Sequence, residues 1–274
     1  MKLDHVTLAG RNLAELRKAF TAATGIATED GGPHSNHVTE LALASFPDGS
    51  YLELIGIRQE ADPAAVAAHT WSHFLRDNAG PCAFAFQMTA LQMPEAGSPS
   101  TLVTGGRTRP DGVALAWETA AIGSGPLGSF FPFLIRDLTP REDRVYPSGK
   151  PTSARYHGIG LVVLGVRDLE GSIEQYQKAF QYPAPKRQRE ESFGADLAWF
   201  EDAPVVLAQP LSSASWLAQR IERFGDSPCA VVFTAAGGLM GRRSPDWFGH
   251  PTFWNTDPTF GWRLGTWIVG MWIR

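Results

Sequence analysis

Two stretches of the chain repeat each other, and this repeat limits the possible folds more than any other feature. Leu3 to Ala9 alternates with the period of a half-buried strand, placing Leu3, His5 and Thr7 on one face and Asp4, Val6 and Leu8 on the other. Asn12 follows as a helix N-cap with Glu15 in the capping-box position, and Leu13, Leu16, Phe20 and Ala23 form an apolar helical stripe ending near Gly25. The same opening recurs at an offset of 156 residues, with the strand Leu161-Val162-Val163-Leu164, the cap Asp168, and a helix carrying Ile173, Tyr176 and Phe180. Further along, Trp71 leads to Asn78-Ala79-Gly80-Pro81-Cys82-Ala83, and Trp216 leads to Asp226-Ser227-Pro228-Cys229-Ala230. The two cysteines therefore fall at equivalent places, each at the head of an apolar strand.

Within the first copy, Gly31-Gly32-Pro33 reads as a break. A strand is expected over His37 to Phe46, a tight turn at Pro47-Asp48-Gly49, and another strand over Tyr51 to Ile57. The order is that of a βαβββ module. A second module runs from the strand Cys82 to Phe86, through a hairpin turn at Arg109-Pro110-Asp111-Gly112, to Phe131-Pro132-Phe133-Leu134-Ile135, with a less evident helix. The fold class expected is α+β, with four tandem βαβββ modules in two units over residues 1–140 and 151–274. The Pro-, Gly- and Ser-bearing charged stretch from Thr139 to Ser153 reads as the linker.

At 274 residues, with 43% hydrophobic and 19% charged side chains, the chain has ample material for a packed core. Its net charge of −4 and scattered basic residues leave no footprint for nucleic acid or an anionic membrane, so a small-molecule ligand is the expected partner. A homodimer stays open. Two cysteines far apart in sequence argue against a disulfide framework, and no apolar segment follows the N-terminal charge, so a cytoplasmic location is expected. The apolar, Trp-rich tail from Gly265 to Arg274 is too short to span a bilayer and reads as a final core strand.

These residues resemble a known family. His5 on the first strand, Asn12 capping the helix and Glu53 on the last strand match the opening and close of a module in the vicinal-oxygen-chelate superfamily. More narrowly, Gly31-Gly32-Pro33-His34, Asp48-Gly49-Ser50-Tyr51-Leu52-Glu53-Leu54-Ile55, Arg107-Thr108-Arg109-Pro110-Asp111-Gly112 with Trp117, and Phe131 to Ile135 are similar to glyoxalase-like domains. The resemblance implies paired modules, as in glyoxalase and bleomycin-resistance proteins, curved around a shared cleft that often holds a divalent metal. Fold alone does not choose the chemistry.

By that resemblance His5 and Glu53 are the candidate catalytic pair, and also the candidate ligands of one Zn, Ni, Mn or Fe ion. The ligand set is incomplete, because Cys82 and Phe133 occupy the corresponding places of the second module, and Leu161 with Leu207 or Gln209 those of the third. Completion would require His34, His37 or Cys82 to converge on the pair. The alternative is a hydrogen-bonded His–Glu pair at the base of a ligand cleft. Arg107 and Arg109 are candidate anchors for a substrate carboxylate, His34 and His37 candidate rim residues, and Trp117 a candidate stacking surface. Gly105-Gly106 and Gly237-Gly238 form no phosphate loop, Gly241-Arg242-Arg243-Ser244 reads as a basic surface turn, and neither Gly-x-Ser-x-Gly nor His-Glu-x-x-His occurs. Two functions remain expected. One is a lyase, isomerase or dioxygenase-like enzyme for a carbonyl- or carboxylate-bearing metabolite, with Glu53 as base. The other is a protein that sequesters a planar aromatic compound against Phe84, Phe86, Trp117 and Phe133.

Overall fold

The structure is a computed structural model. It describes residues 1–88, 101–201 and 203–234, together with the backbone of three strands over 251–255, 262–268 and 271–273. The first half runs β1 (Leu3–Ala9), α1 (Leu13–Thr24), β2 (Glu29–Pro33), β3 (Thr39–Ser45), β4 (Tyr51–Ile57), α2 (Pro63–Ala68), α3 (Ser72–Arg76), β5 (Gly80–Gln87), β6 (Val103–Thr108), β7 (Ala114–Ala120) and β8 (Phe133–Asp137). After α4 (Arg141–Val145) the second half runs β9 (Gly158–Gly165), α5 (Leu169–Phe180), β10 (Lys186–Glu190), β11 (Ala195–Trp199), β12 (Val205–Pro210), α6 (Trp216–Phe224), β13 (Ser227–Thr234), β14 (Pro251–Asn255), β15 (Trp262–Ile268) and β16 (Met271–Ile273).

Each half builds one eight-stranded sheet, in the orders β2-β3-β4-β1-β5-β8-β7-β6 and β10-β11-β12-β9-β13-β14-β15-β16. The opening strands of two modules pair antiparallel at the centre of each sheet; β1, β5 and β9 each pair parallel with the last strand of their own module, whereas β13 pairs antiparallel with β14. The fold is thus the α+β arrangement of tandem modules that the repeat predicts. The expected caps form: Asn12 Oδ1 accepts from the Glu15 amide at 3.0 Å, and Asp168 Oδ1 from the Gly171 amide at 3.1 Å. Among the described residues no helix is long and apolar enough to cross a membrane. Gly237-Gly238 and Gly241 to Ser244 lie outside the described residues, as do the side chains of the Trp-rich tail, whose backbone ends β15 and forms β16.

Two sequence expectations need correction. Gly31-Gly32-Pro33 is the end of β2, an edge strand that bulges between Asp30 and Gly32, and is no break. Glycine is needed there because a Cβ on Gly31 would meet Leu41 Cδ1 at 2.0 Å, and Gly32 has φ +87° with Thr108 O 2.7 Å from where a Cβ would stand. The stretch from Thr139 to Ser153 is also more than a connector, since it contains α4, whose Arg144 is buried in the wall of a cavity.

The repeat extends to irregularities that no hydrophobic pattern reveals. The pairing of β1 with β5 skips Asp4 on one strand and Cys82 on the other, and the pairing of β9 with β13 skips Gly160 and Cys229. Asp4 and Gly160 stand at the same 156-residue offset as the helix caps. A bulge leaves one residue unpaired and turns neighbouring side chains toward one side of the sheet. That is why Asp4 does not face away from His5 as strict alternation predicts.

One face of both sheets contributes to a common core: Val6, Leu52, Phe84 and Phe86 from the first half share a cluster with Val162, Leu207, Val231 and Phe233 from the second. Phe84 and Phe86 are thereby committed to packing between the sheets. Arg220 of α6 crosses the same junction, donating to the carbonyls of Ala79 at 2.6 Å, Pro228 at 2.7 Å, and Pro81. Because these acceptors lie beside the two cysteine bulges, Arg220→Leu should strand buried carbonyls in both halves. A loss of at least about 3 kcal/mol in urea denaturation is the expected result.

Candidate functional site

The opposite faces of the two sheets differ in kind. In the second sheet the inner face is apolar, with Val163, Leu197, Val206 and Ala208 packed under Phe193, Leu217 and Ile221. Thr7 pairs with Glu53 across β1 and β4, and Val163, at the repeat offset from Thr7, pairs with Val206 across β9 and β12. The counterpart of Glu53 is therefore Val206, not Leu207 or Gln209. The counterpart of His5 is Leu161 and that of Asp4 is Gly160, so Asp4, His5, Thr7 and Glu53 all lack a polar equivalent in the second copy.

The first sheet instead encloses a cavity of about 170 Å³, lined by His5, His34, Tyr51, Glu53, Arg107 and Arg144 on its polar side and by Trp71, Trp117, Phe133, Leu43, Leu127, Ile135 and Thr119 around the rest. Its wall is almost continuous because the two end strands of the sheet approach each other, meeting in a single antiparallel bridge between His34 and Arg107. Both bridging residues line the cavity.

Glu53 sits at the base. Its Oε2 accepts a hydrogen bond from Thr7 Oγ1 at 3.2 Å, its Oε1 lies 3.4 Å from His34 Nε2, and His5 Nε2 is 4.0 Å from Oε2. Burial alone raises a carboxyl pKa, but the hydrogen bond of His34, the positive charges that His34 and His5 carry in acid, and that of Arg107 outweigh it and hold Glu53 at about 2. The two imidazoles are set in opposite tautomers. His5 Nδ1 is 2.7 Å from Asp4 Oδ1, and since an ionised carboxylate only accepts, the hydrogen is on Nδ1 and the Nε2 lone pair faces the cavity. His34 Nδ1 is 2.7 Å from Thr39 Oγ1, which can donate to it, leaving Nε2–H to serve Glu53.

Behind His5 lies a buried ionic network. Asp4, with no exposure, accepts from Arg144 at 3.0 and 3.1 Å and from Arg141. Although desolvation opposes it, the field of Arg144, the His5 bond and Arg141 hold the Asp4 carboxyl far below the usual carboxylate range. Arg144 also binds Asp137 and donates to the Tyr51 hydroxyl, whose pKa burial pushes up. Tyr51 stacks on His5 at 4.7 Å between ring centroids and Phe133 meets it edge-on at 5.4 Å, so the imidazole is fixed on three sides.

Of the residues singled out from sequence, His5, Glu53, His34, Arg107 and Trp117 come together in this cavity. His37 does not: it occupies an exposed turn at φ 58°, donating its amide to His34 O. Arg109 is spent on structure, donating to the carbonyls of Asp143 at 3.1 Å and Pro147 at 2.6 Å and pairing with Asp111. Cys82 is buried at its bulge, where desolvation pushes its thiol pKa up, and it takes no part in the cavity wall. The chief residues that sequence reasoning missed are Asp4, Tyr51, Trp71 and Arg144. Of these, Tyr51 carried a signal as part of the segment that resembles glyoxalase-like domains and Trp71 as one of the repeated landmarks, its indole N–H tied to Leu127 O at 2.8 Å.

A glyoxalase-like domain family matches residues 3–180. The chain belongs to the glyoxalase-like family of the vicinal-oxygen-chelate superfamily. Among solved structures, this glyoxalase-like protein is similar to a hypothetical protein from Staphylococcus aureus at 12% identity, with a TM-score of 0.55 over 76% of this chain and 85% of that one. It is also similar to a triple mutant of 4-hydroxymandelate synthase from Streptomyces coelicolor at 15% identity, with a TM-score of 0.51 over 83% of this chain and 68% of that one. At these identities the likeness is one of fold. No functionally curated protein matches the sequence.

Members of the superfamily commonly bind a divalent metal, so the donor set bears testing. A metal here would need the Nε2 lone pairs of both imidazoles and an oxygen of Glu53, and His34 supplies its own only with the hydrogen moved to Nδ1, where Thr39 Oγ1 can accept it. Among the described residues no three His, Cys, Asp or Glu side chains are arranged to hold a metal ion, and the Arg107 guanidinium in the wall repels a cation. As they are placed, the residues of the glyoxalase-like protein do not gather into a metal centre. A chelator is expected to leave its Tm unchanged. One equivalent of Zn, Ni, Mn or Fe by elemental analysis, lost in His5→Ala, would reverse that assignment.

Glu53 also makes stability depend on pH. Its pKa falls from the ordinary 4.5 to about 2 on folding, so its contribution is complete above pH about 4.5 and is lost as pH drops toward about 2. Urea denaturation between pH 7 and 2.5 should show Glu53→Gln flattening this acid limb by up to about 3 kcal/mol. An unchanged limb would mean that Glu53 is not held as an anion.

Proposed function

We propose that this glyoxalase-like protein is a small-molecule enzyme that moves a proton at a carbon next to a carbonyl, on a metabolite bearing a carboxylate, with isomerase or lyase chemistry as the outcome. The observation that carries the reading is the Asp4–His5 pair, in which a buried carboxylate fixes Nδ1–H at 2.7 Å and leaves Nε2 open to the cavity. This is the arrangement of an oriented general base.

His5 Nε2 takes the proton, and the electron pair of the C–H bond moves onto the carbonyl oxygen as an enolate. Return of the proton to the other face or a neighbouring carbon gives an isomer, and expulsion of a leaving group gives a lyase. Glu53 acts here as a fixed anion. A carboxyl held at about 2 is too weak a base for a carbon-bound proton, but at 4.0 Å from His5 Nε2 it offsets the charge of the imidazolium as it forms. Arg107 stands ready to neutralise a substrate carboxylate or the enolate.

A second reading, a protein that binds and sequesters its ligand, is favoured by the aromatic part of the wall, where Trp71, Trp117 and Phe133 line the cavity. One experiment separates the two. In deuterium oxide with small 2-oxo and 3-oxo carboxylates, an enzyme washes deuterium into the position next to the carbonyl, read by proton NMR. His5→Gln should slow that exchange about 100- to 10,000-fold, and Glu53→Gln by less. If Glu53→Gln abolished exchange while His5→Gln kept it, the roles would be reversed. A compound that raises Tm stoichiometrically and is recovered unexchanged would favour sequestration.

A further inference from the structure

We infer that the cavity is built for a small monoanion carrying one six-membered aromatic ring, an arylcarboxylate in its simplest form, with the ring against Trp71, Trp117 and Phe133 and the anionic group on Arg107. This rests on the site described under the proposed function and specifies its ligand, but it does not depend on what chemistry follows.

The first support is charge. Two guanidiniums line the cavity, and they are not equivalent. Arg144 is taken up by Asp4 and Asp137. Arg107 is buried, and its two amino nitrogens donate to the carbonyls of Gly31 and, at 3.1 Å, of Arg144. Among the described residues no carboxylate lies within ion-pair distance of it. Each of those nitrogens carries a second hydrogen, so a planar anion can be received without breaking either carbonyl bond. Desolvation lowers the Arg107 pKa, as expected for a buried cation without a contact partner. With Tyr51 neutral, the field of Glu53 compensates that cation, and this also sets an upper limit on ligand charge, because a dianion would meet that carboxylate in the same cavity.

The second support is size and surface. The cavity volume of about 170 Å³ is close to that of an engineered cavity of about 150 Å³ that binds benzene. One ring with a short substituent fills it, and the second ring of a fused bicycle would have to extend out of it. Most of the polar groups come from β1, β4, β6 and the turn after β2, with Arg144 on α4 and Thr119 on β7, whereas Trp117 and Phe133 come from β7 and β8 and Trp71 from the segment before α3. The indole of Trp117 holds its place because Gly105 opposite has no Cβ, which would stand 2.7 Å from Trp117 Nε1. Flat, weakly polar walls facing one cationic fork are complementary to a planar ring with a coplanar carboxylate.

Isothermal titration with benzoate and phenylacetate, compared with benzamide, cyclohexanecarboxylate, 2-naphthoate and pyruvate, tests the assignment. One equivalent of the single-ring carboxylates should bind, with benzamide and 2-naphthoate at least about 10-fold weaker, and cyclohexanecarboxylate and pyruvate weaker than benzoate. Arg107→Met should weaken benzoate about 10- to 100-fold. Should that variant not fold, Leu127→Trp, which fills the cavity from a loop and leaves every charge in place, should abolish benzoate binding while keeping the cooperative urea transition. Equal binding of benzamide would overturn the anion, and equal or tighter binding of pyruvate would overturn the ring. Either result leaves the proton-transfer reading to the deuterium exchange of 2-oxo and 3-oxo acids. Conversely, benzoate binding together with a lack of exchange on any oxo acid would sink that reading and leave this one standing.

Discussion

A carboxylate with no exposure to water, Asp4, is the point on which the site depends. Burying such a charge is costly unless cations and hydrogen bonds surround it, and here Arg144, Arg141 and His5 do so. Each of those partners then has consequences of its own. Arg144 can reach Asp4 only because α4 folds back after β8 onto the inner face of the sheet, and from there it also anchors Tyr51, which in turn stacks on His5. The tautomer and tilt of the imidazole and the placement of the segment following β8 thus follow from one charge that had to be compensated. The bulge at Asp4 is the backbone device that makes this possible, because in regular alternation the carboxylate would have entered the apolar layer between the sheets.

The fold was legible in the sequence because it rests on periodicities and caps, which are local. Asn12 and Asp168 announce their helices through their own side chains, and the strands around Leu161 and Phe84 through composition. The site was only partly legible. His5 and Glu53 are recognisable by position on β1 and β4, and His34 and Arg107 as neighbours of glycine-rich strands. Nothing local indicates that β2 and β6, about seventy residues apart in the chain, close the sheet on one another, and it is that closure that separates Arg107 from Arg109. Two residues further along, in the hairpin turn, a guanidinium becomes a clamp for the segment at Asp143 and Pro147.

Asp4 and Arg144 were hidden for the same reason. A bulge is a two-strand property, visible only once β1 has been paired with β5, and strict alternation assigns Asp4 to the wrong face. A charged run such as Arg141-Glu142-Asp143-Arg144 reads as a solvated connector unless a buried counter-charge 140 residues away is known to await it. The aromatic residues show the converse error. Phe84 and Phe86 belong to a strand apolar on both faces, so sequence could not say which face meets a ligand and which meets the other sheet.

The paired bulges have a consequence for how the two copies tolerate change. Backbone irregularity was kept at both places, while the side chains on it diverged from Asp4 to Gly160 and from His5 to Leu161. The inner face of the second sheet is consequently governed by volume, and one aliphatic residue can stand in for another at modest cost. The inner face of the first is governed by a balance of whole charges, in which a single neutral replacement leaves an uncompensated partner behind. Drift in this protein should therefore accumulate asymmetrically: many small, independent steps around Val163 and Val206, and around Asp4 and Arg144 either no step or several at once.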